Sequence, residues 1–374
     1  MVSSKGLLYK KVKQNILEEI KGLERDSRLP SRTDLLKKYN VTRTTIERAI
    51  SELIGEGVLY ARDGSGTYVY GGGKEAAGRG WEGGETGKVA NWGVILPNIT
   101  HDTYPGILRG IEDIANKNNI NVIICNTDNY TDKQELYIKK LIKSKVDGII
   151  IVPAIIGDID TKSFLSLRKA GIPFVFCNRG IGEIDAPRIL SNNFYGAYIA
   201  TKHLLSSGYR SVAFVSRPYY SVAAERLQGY LAALSESGIE AEDRLAVFEK
   251  SFEEEKPGYE ITLDLFNKGF EIDSILCFND MIAKGAYDAV VSMGRKVGRD
   301  VGIIGYDNTA ICERLPVKLT SVSFKTYEIG NEAAEMLLKI SKNGEHDSNK
   351  AVILQPELII RESSRKNNHK ALSR

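Results

Sequence analysis

Asparagine, aspartate and arginine recur in this chain at one kind of place, the end of a short apolar run. Asn98 follows WGVILP (92–97), and Asn126 with Asp128 ends NVIICN (121–126). Asn178 and Arg179 close PFVFCN (173–178), Asn279 and Asp280 follow DSILCF (273–278), and Asp307 follows VGIIGY (301–306). Planar amides donate and accept together, carboxylates only accept, and a guanidinium donates in a fork. Such a set bridges vicinal hydroxyls and rejects analogues that lack them. It suits a sugar better than an apolar ligand, and Tyr104, Phe194, Tyr219 or Tyr259 could lie against the C–H face of a pyranose. Singly, each Asn or Asp is as readily a helix N-cap, and Asp280 fits that role best. Together they favour a polar cleft.

A second set is built differently. In VTRTTIER (41–48) and its run-on AISEL, Ile46, Ala49, Ile50 and Leu53 form one apolar stripe at helical spacing. Thr44, Arg48 and Ser51 point the other way, and Arg43 and Thr45 flank the first turn. That outer face reads as short, polar and cationic. Small hydroxyls allow close approach to a DNA major groove, and arginines fork onto guanine edges or phosphates. Alone, the stretch is equally an amphipathic surface helix.

The elements around these residues decide between the readings. Leu8–Leu23 has helical spacing. Ser31 reads as an N-cap with Asp34 three residues on, Asn40 ends that second helix, and Gly55 and Gly57 stop the third. Residues 58–61 and 67–70 are β-prone runs joined by RDGSG, a hairpin signal. Three helices and a two-stranded wing make a winged helix-turn-helix over residues 1–70, with Arg62 at the wing tip in reach of a phosphate or the minor groove. Residues 71–90 are rich in glycine and read as a flexible linker.

From residue 91 to about 365, apolar runs of strand length alternate with amphipathic helical patterns at 104–117, 133–143, 194–207, 223–236, 281–293 and 327–342. The runs are those above together with 147–153 and 211–216. Continuous apolar strands with crossover helices imply parallel sheets covered on both faces. The succession is too long for one small sheet, so two lobes with a cleft are expected. In such sheets ligands meet the carboxyl ends of strands, where the polar residues stand. The basic end after Ile360, with 366–374 as its tail, reads as frayed.

Composition excludes much else. The chain has 374 residues and 42% hydrophobic content, enough for two or three full cores. It has no 18-residue apolar run and no apolar leader, so no membrane span or export is expected and the cytoplasm is. The four cysteines lack CxxC spacing and read as reduced thiols. The four histidines show no ligand spacing, so no metal is expected, and no cofactor. No Ser/His/Asp set or P-loop is evident, so an enzyme is not expected. Residues 1–70 hold 13 Lys and Arg against 9 Asp and Glu, a modest basic bias that fits a nucleic-acid footprint.

LPSRTDLLKKYNVTRTTIERAISELIGEGVLYARDGSGTYV resembles the GntR-type DNA-binding domain. The resemblance implies DNA contact by Arg32, Arg43, Thr44, Thr45, Arg48 and the wing glycines Gly64 and Gly66; Arg32 stands where an acid is usual. The segment from Trp92 to about Arg365 resembles the LacI-type effector domain, similar to type-1 periplasmic sugar-binding proteins. It does so through WGVILPNITHDTYPGILRGIEDIA, RLQGYLAAL, CFNDMIAKGAYDAV, VGIIGYDN and LTSV. The implied fold is α/β: a winged helix-turn-helix N-terminal domain plus a two-lobed parallel-sheet effector domain. The implied effector contacts are Arg226, Asn279 and Asp307, added to Asn98, Tyr104, Asn178 and Arg179. Asn178 stands where relatives often have an acid.

The pairing of head and body resembles arabinose-responsive repressors. A homodimer on an inverted repeat of operator DNA is therefore expected, joined through the outer faces near 104–117 and 281–293. Its effector would be L-arabinose or a related pentose or deoxyhexose. An activator, a corepressor-dependent regulator and a sugar-binding protein without a DNA role are the alternatives.

Overall fold

Ile46, Ala49, Ile50 and Leu53 are all at most 1% exposed. They lie on α3 (Arg43–Gly55), which packs against Val12, Ile16 and Ile20 of α1 (Ser4–Ile20) and Leu35 of α2 (Arg32–Tyr39). The Ser31 Oγ caps α2, accepting from the Asp34 N–H at 3.2 Å and donating to its carboxylate at 2.7 Å. Asn40 ends α2 at a φ of 47°, a left-handed turn that asparagine tolerates. The wing is β1 (Leu59–Arg62) antiparallel to β2 (Gly66–Val69), with Leu59 opposite Val69. Both strands sit one residue from their expected places. Leu29 and Ser27 hydrogen-bond to Thr67 and Val69 at 2.8 and 2.9 Å, extending the wing with a third short stretch.

The computed structural model describes residues 4–20, 23, 27–55, 58–62, 66–69, 89–158, 161–252, 258–343 and 350–366. The chain divides into two units, Met1–Lys88 and Val89–Arg374. Apart from Val89 and Ala90, the expected linker lies outside the described residues, and Ala90 already starts a strand.

The second unit opens with β3 (Ala90–Leu96), α4 (Tyr104–Lys117), β4 (Ile120–Asn126), α5 (Thr131–Lys143), β5 (Gly148–Ile151), α6 (Thr161–Lys169), β6 (Phe174–Asn178) and β7 (Arg188–Ser191). The chain then crosses to a second lobe. This holds α7 (Asn193–Ser206), β8 (Val212–Ser216), α8 (Ser221–Glu236), β9 (Ala246–Phe248), α9 (Tyr259–Asn267), β10 (Ser274–Cys277), α10 (Asp280–Ser292), β11 (Gly302–Tyr306), α11 (Ile311–Arg314) and β12 (Thr320–Ser323). It returns for α12 (Thr326–Asn343) and β13 (Ala351–Leu354), and crosses again for β14 (Glu357–Ile359). The first sheet runs β13-β7-β6-β5-β3-β4 and the second β14-β12-β11-β10-β8-β9. Every neighbour pair is parallel except β12 with β14.

The parallel sheets buried on both faces are as the apolar runs predict. β5, β8, β10 and β11 are buried along their whole length. β7, β9, β12, β13 and β14, with α6, α9 and α11, come in addition to the expected elements. The basic end after Ile360 is a correction. Ser363 and Ser364 are fully buried. The Ser363 Oγ donates to the Ile303 carbonyl at 2.6 Å and accepts from the Thr320 N–H at 2.8 Å. Arg361 bonds Leu319 and Asn308 at 2.9 and 3.0 Å. Buried polar side chains are almost always hydrogen-bonded, the bond offsetting the loss of water, and these are, so this segment belongs to the fold.

All four cysteines are buried free thiols. Among the described residues no helix is long and apolar enough to cross a membrane, and no cluster of three potential metal ligands occurs.

Candidate functional site

The outer face of α3 is exposed as expected, but its charge is mixed. Arg43 and Arg48 keep 79% and 62% of their side-chain surface in solvent. Each has a glutamate four residues on: Arg43 lies 3.6 Å from Glu47 and Arg48 3.8 Å from Glu52. The expectation of a purely cationic face overlooked that spacing. Exposed pairs of this kind are worth at most about 1 kcal/mol, so either arginine can exchange its glutamate for a phosphate. The Arg48 guanidinium stands 4.0 Å over the Tyr9 ring, which aims it. Thr44 is exposed, and the Thr45 hydroxyl lies 3.0 Å from that of Thr42.

Arg32 has an architectural position. It donates to the Thr67 hydroxyl at 3.0 Å and lies 3.5 Å from Glu47, joining α2, the wing and α3. Gly66 has a φ of 130°, a conformation only glycine adopts without strain. The Arg62 side chain and Gly64 lie outside the described residues.

In the second unit, strand ends from both sheets meet at one cleft of about 290 Å³. That is near the small end of ligand pockets, about 300–1,000 Å³, and fits a single sugar ring better than a chain of them. All seven residues expected at the effector line it: Asn98 after β3, Tyr104 opening α4, Asn178 and Arg179 at the end of β6, Arg226 on α8, Asn279 after β10 and Asp307 after β11.

Each is held by a traceable set of bonds. The Asn98 carboxamide oxygen accepts from the Thr100 N–H and hydroxyl at 2.9 and 2.7 Å, leaving its NH2 for a ligand. Arg179 is 8% exposed. It donates to Asn129 at 3.1 Å, to the Pro153 carbonyl at 3.0 Å and to the Tyr104 hydroxyl at 2.7 Å. Arg226 is 6% exposed. It donates to the Asn193 carboxamide at 3.1 Å and to the Phe278 carbonyl, with its guanidinium 3.4 Å over the Tyr306 ring. Among the described residues two of its five N–H groups are thereby engaged.

Asn279, not Asp280, caps α10, accepting from the Ile282 N–H at 2.9 Å. Asp280 points into the lobe and accepts from Ser321 at 2.6 Å and from Thr309 at 2.7 and 3.0 Å. It thereby fixes the loop that carries Asp307. Asn126 is similarly a support. It accepts from Ile99 at 3.0 Å and donates to Asp128 at 2.6 Å.

Asp128, Asn129, Asn178 and Asp307 have φ of 49°, 67°, 65° and 101°. Asn and Asp tolerate the left-handed region near 60°, but Asp307 lies beyond it. Such strain persists only where surroundings hold it, and it clusters at functional sites. Here the Asp307 N–H is tied to Val322 at 2.8 Å and the Asn308 N–H to Ser321 at 3.0 Å. Burial pushes the Asp307 carboxyl up to about 8; Arg226, Thr103 and Arg179 pull against this and Asp280 adds to it.

Of the aromatics expected to stack, only Tyr104 lines the cleft. Phe194 and Tyr219 are 43% and 67% exposed elsewhere, and Tyr259 bonds Ser292 across α9 and α10. Tyr220, Phe252, Phe278 and Phe324 take their place. The turn after β8 aims the second tyrosine of the pair inward, which composition alone does not reveal. His101, Thr103, Asn129 and Arg217 also line the cleft without having been expected. Arg217 follows β8 directly, so the strand-end rule reaches it. Its charge is paired with Glu249 at 2.7 Å, a side chain only 2% exposed.

Residues 90–361 match the family described as periplasmic binding proteins and sugar binding domain of LacI family. Residues 8–69 match bacterial regulatory proteins of the gntR family. An arabinose metabolism transcriptional repressor from Halalkalibacterium halodurans is 26% identical over 373 residues, 97% of each chain. An HTH-type transcriptional repressor PurR from Mannheimia succiniciproducens is 30% identical, over 73% of this chain and 81% of the other. The crystal structure of a LacI family regulator from Enterococcus faecium with bound ribose superposes with a TM-score of 0.65 at 29% identity. That match covers 73% of this chain and 98% of the other.

Proposed function

Because the chain belongs to the family of periplasmic binding proteins and LacI-type sugar binding domains and carries a gntR-type head, it is a DNA-binding transcriptional regulator and not an enzyme, and we propose that it represses carbohydrate-utilisation genes until a sugar releases it. The observation that carries this reading is the convergence of seven strand-end and helix-borne polar groups on one cleft, in a chain whose other unit exposes Arg43, Thr44 and Arg48 on one helix. Asn98, Tyr104, Asn178, Arg179, Arg226, Asn279 and Asp307 are the proposed effector contacts. Arg43, Thr44, Thr45 and Arg48 are the proposed DNA contacts, with Arg62, Gly64 and Gly66 at the wing and Arg32 in support. The full-length likeness to arabinose metabolism repressors supports a pentose or deoxyhexose skeleton, L-arabinose first. A regulator of transcription works where the DNA is, in the cytoplasm. We assign a homodimer on an inverted repeat, with the half-exposed Met281 and Val291 of α10 at its interface.

The test is a titration of the full chain on DNA from upstream of its own gene, read by fluorescence anisotropy, with and without each sugar of a panel. A ligand at 100 times its Kd should stabilise the folded body by about 2.7 kcal/mol, so a thermal-shift screen finds it first. Release of DNA by that sugar supports repression; tighter binding makes the sugar a corepressor. Absence of any DNA binding would revive a pure sugar-binding protein.

In the same assay, Arg43→Ala and Arg48→Ala should each weaken DNA binding by about 1–3 kcal/mol where the arginine reads a guanine. Sugar binding should be unchanged. Equal loss of both activities would mean a misfolded chain rather than a lost contact.

A further inference from the structure

The third stretch of the wing, residues 27–29, carries an arginine outside the DNA-contacting set above. Arg28 pairs with Tyr68 across an antiparallel bridge, and Tyr68 pairs with Tyr60 on β1. Residues side by side in a sheet share a face, so Tyr60, Tyr68 and Arg28 form one row. That face is the outer one. The neighbouring Leu59, Val69 and Leu29 are buried in the core of the head, while Tyr60 and Tyr68 are half-buried and Arg28 is exposed.

The Arg28 side chain does not stay in its row. A Cβ on Gly66 would stand 3.1 Å from its Nε, 3.5 Å from its Nη2 and 3.7 Å from its Cζ. Gly66 begins β2, two residues before Tyr68, and lies opposite Arg62, where β1 ends. The guanidinium therefore runs along the outer face to the hairpin end of the wing, over a glycine that leaves it room. On the inner face Arg32 reaches the next residue, bonding the Thr67 hydroxyl at 3.0 Å. The start of β2 thus lies between two arginines.

Their charges are used differently. Arg32 lies 3.5 Å from Glu47, which Arg43 shares at 3.6 Å, and Arg48 lies 3.8 Å from Glu52. Among the described residues no carboxylate stands at ion-pair distance from Arg28. A guanidinium already laid along a strand gives up little freedom when an anion arrives.

We propose that Arg28 grips a backbone phosphate of the bound DNA at the hairpin end of the wing, a contact independent of base sequence. This rests on the DNA-binding reading of the head and adds a residue to it. The fork stands on a sheet strand and not on the α3 face that is offered to base edges. Phosphate and sugar take roughly half or more of protein–DNA hydrogen bonds, and an unpaired guanidinium suits them.

The test is fluorescence anisotropy on the full chain with DNA from upstream of its own gene and with an unrelated duplex of equal length, across a salt series. Arg28→Gln should bind both duplexes several-fold more weakly, leaving their ratio unchanged. The wild-type advantage over Arg28→Gln should shrink by about 3.5-fold between roughly 50 and 200 mM salt, as expected for one phosphate contact fewer. Arg28→Lys keeps the charge and should keep the wild-type salt dependence. Arg28→Gln binding like the wild type at every salt would overturn the proposal. A loss confined to the upstream DNA, with the salt dependence intact, would make Arg28 a base reader and overturn it too. Equal losses in Arg28→Lys and Arg28→Gln would mean that packing over Gly66, not charge, is what matters. A wild-type chain that binds neither duplex would remove the DNA reading of the head and this contact with it.

Discussion

Arg226→Ala should abolish the response to effector in a protein that still binds DNA. The guanidinium is 6% exposed, bonded to Asn193 and Phe278 and stacked 3.4 Å over Tyr306. Those contacts fix its plane, so its remaining N–H groups face the cleft already oriented. Removing a buried charge partner costs about 2–5 kcal/mol of binding, or roughly thirty- to several-thousand-fold in Kd. Part of that loss comes from the groups left behind, since the Asn193 oxygen and the Phe278 carbonyl lose a donor inside the lobe. Arg226→Lys should rescue little, because one ammonium cannot serve two fixed acceptors and stack on a ring as well. The check is a ligand titration beside a DNA titration. A mutant with an ordinary ligand isotherm would remove Arg226 from the site.

Gly330→Ala should destabilise the body by about 3 kcal/mol, at the upper end of ordinary overpacking, and weaken ligand binding with it. α12 crosses α4 backbone against backbone. A Cβ at Gly330 would stand 2.0 Å from the Ile107 carbonyl oxygen and 2.9 Å from its Cα. Backbone atoms cannot rotate aside as a side chain would, so the helices must part. α4 begins with Tyr104, whose hydroxyl accepts from Arg179, so the separation reaches the cleft. At about 2–4 °C per kcal/mol for a domain of this size, the midpoint should fall by roughly 6–12 °C in calorimetry. Gly182→Ala is the control. Nothing lies within 4 Å of a Cβ there, and its midpoint should stay put. A Gly330→Ala chain as stable as the control would mean the helix pair is looser than its geometry implies.

What the sequence reveals, and what it hides, follows from burial. β5, β8, β10 and β11 announce themselves because both faces are covered and every residue is apolar. β13, at a sheet edge, alternates exposed and half-buried residues, and β9 is three residues long and half-buried throughout. Neither offers a run to recognise. The site divides along the same line. Asn98, Asn178, Asn279 and Asp307 are legible because each follows a legible strand, and parallel topology brings such ends together. Phe252 is not, because it follows β9. Asp280 reads as a cap from sequence because a helix-starting carboxylate usually caps. Here Asn279, one residue earlier, has the extended backbone of a cap and Asp280 is already inside the turn. Arg226 is a third case, carried to the cleft by a helix and found through its R-x-x-G setting rather than any strand.

The two returns of the chain between lobes bear on how the protein is made. The first sheet is incomplete without β13, and the second without β14, although most strands of both come much earlier. On a ribosome the head has all its described elements once Val69 has emerged, and its contacts are local, so it can fold early. The body has to wait until Ser363 and Ser364, which bond to Ile303 and Thr320 inside the second lobe. Every nascent chain thus passes through a stage with a finished DNA reader and no finished sensor. A message truncated in that interval would yield a head without the body that carries the cleft.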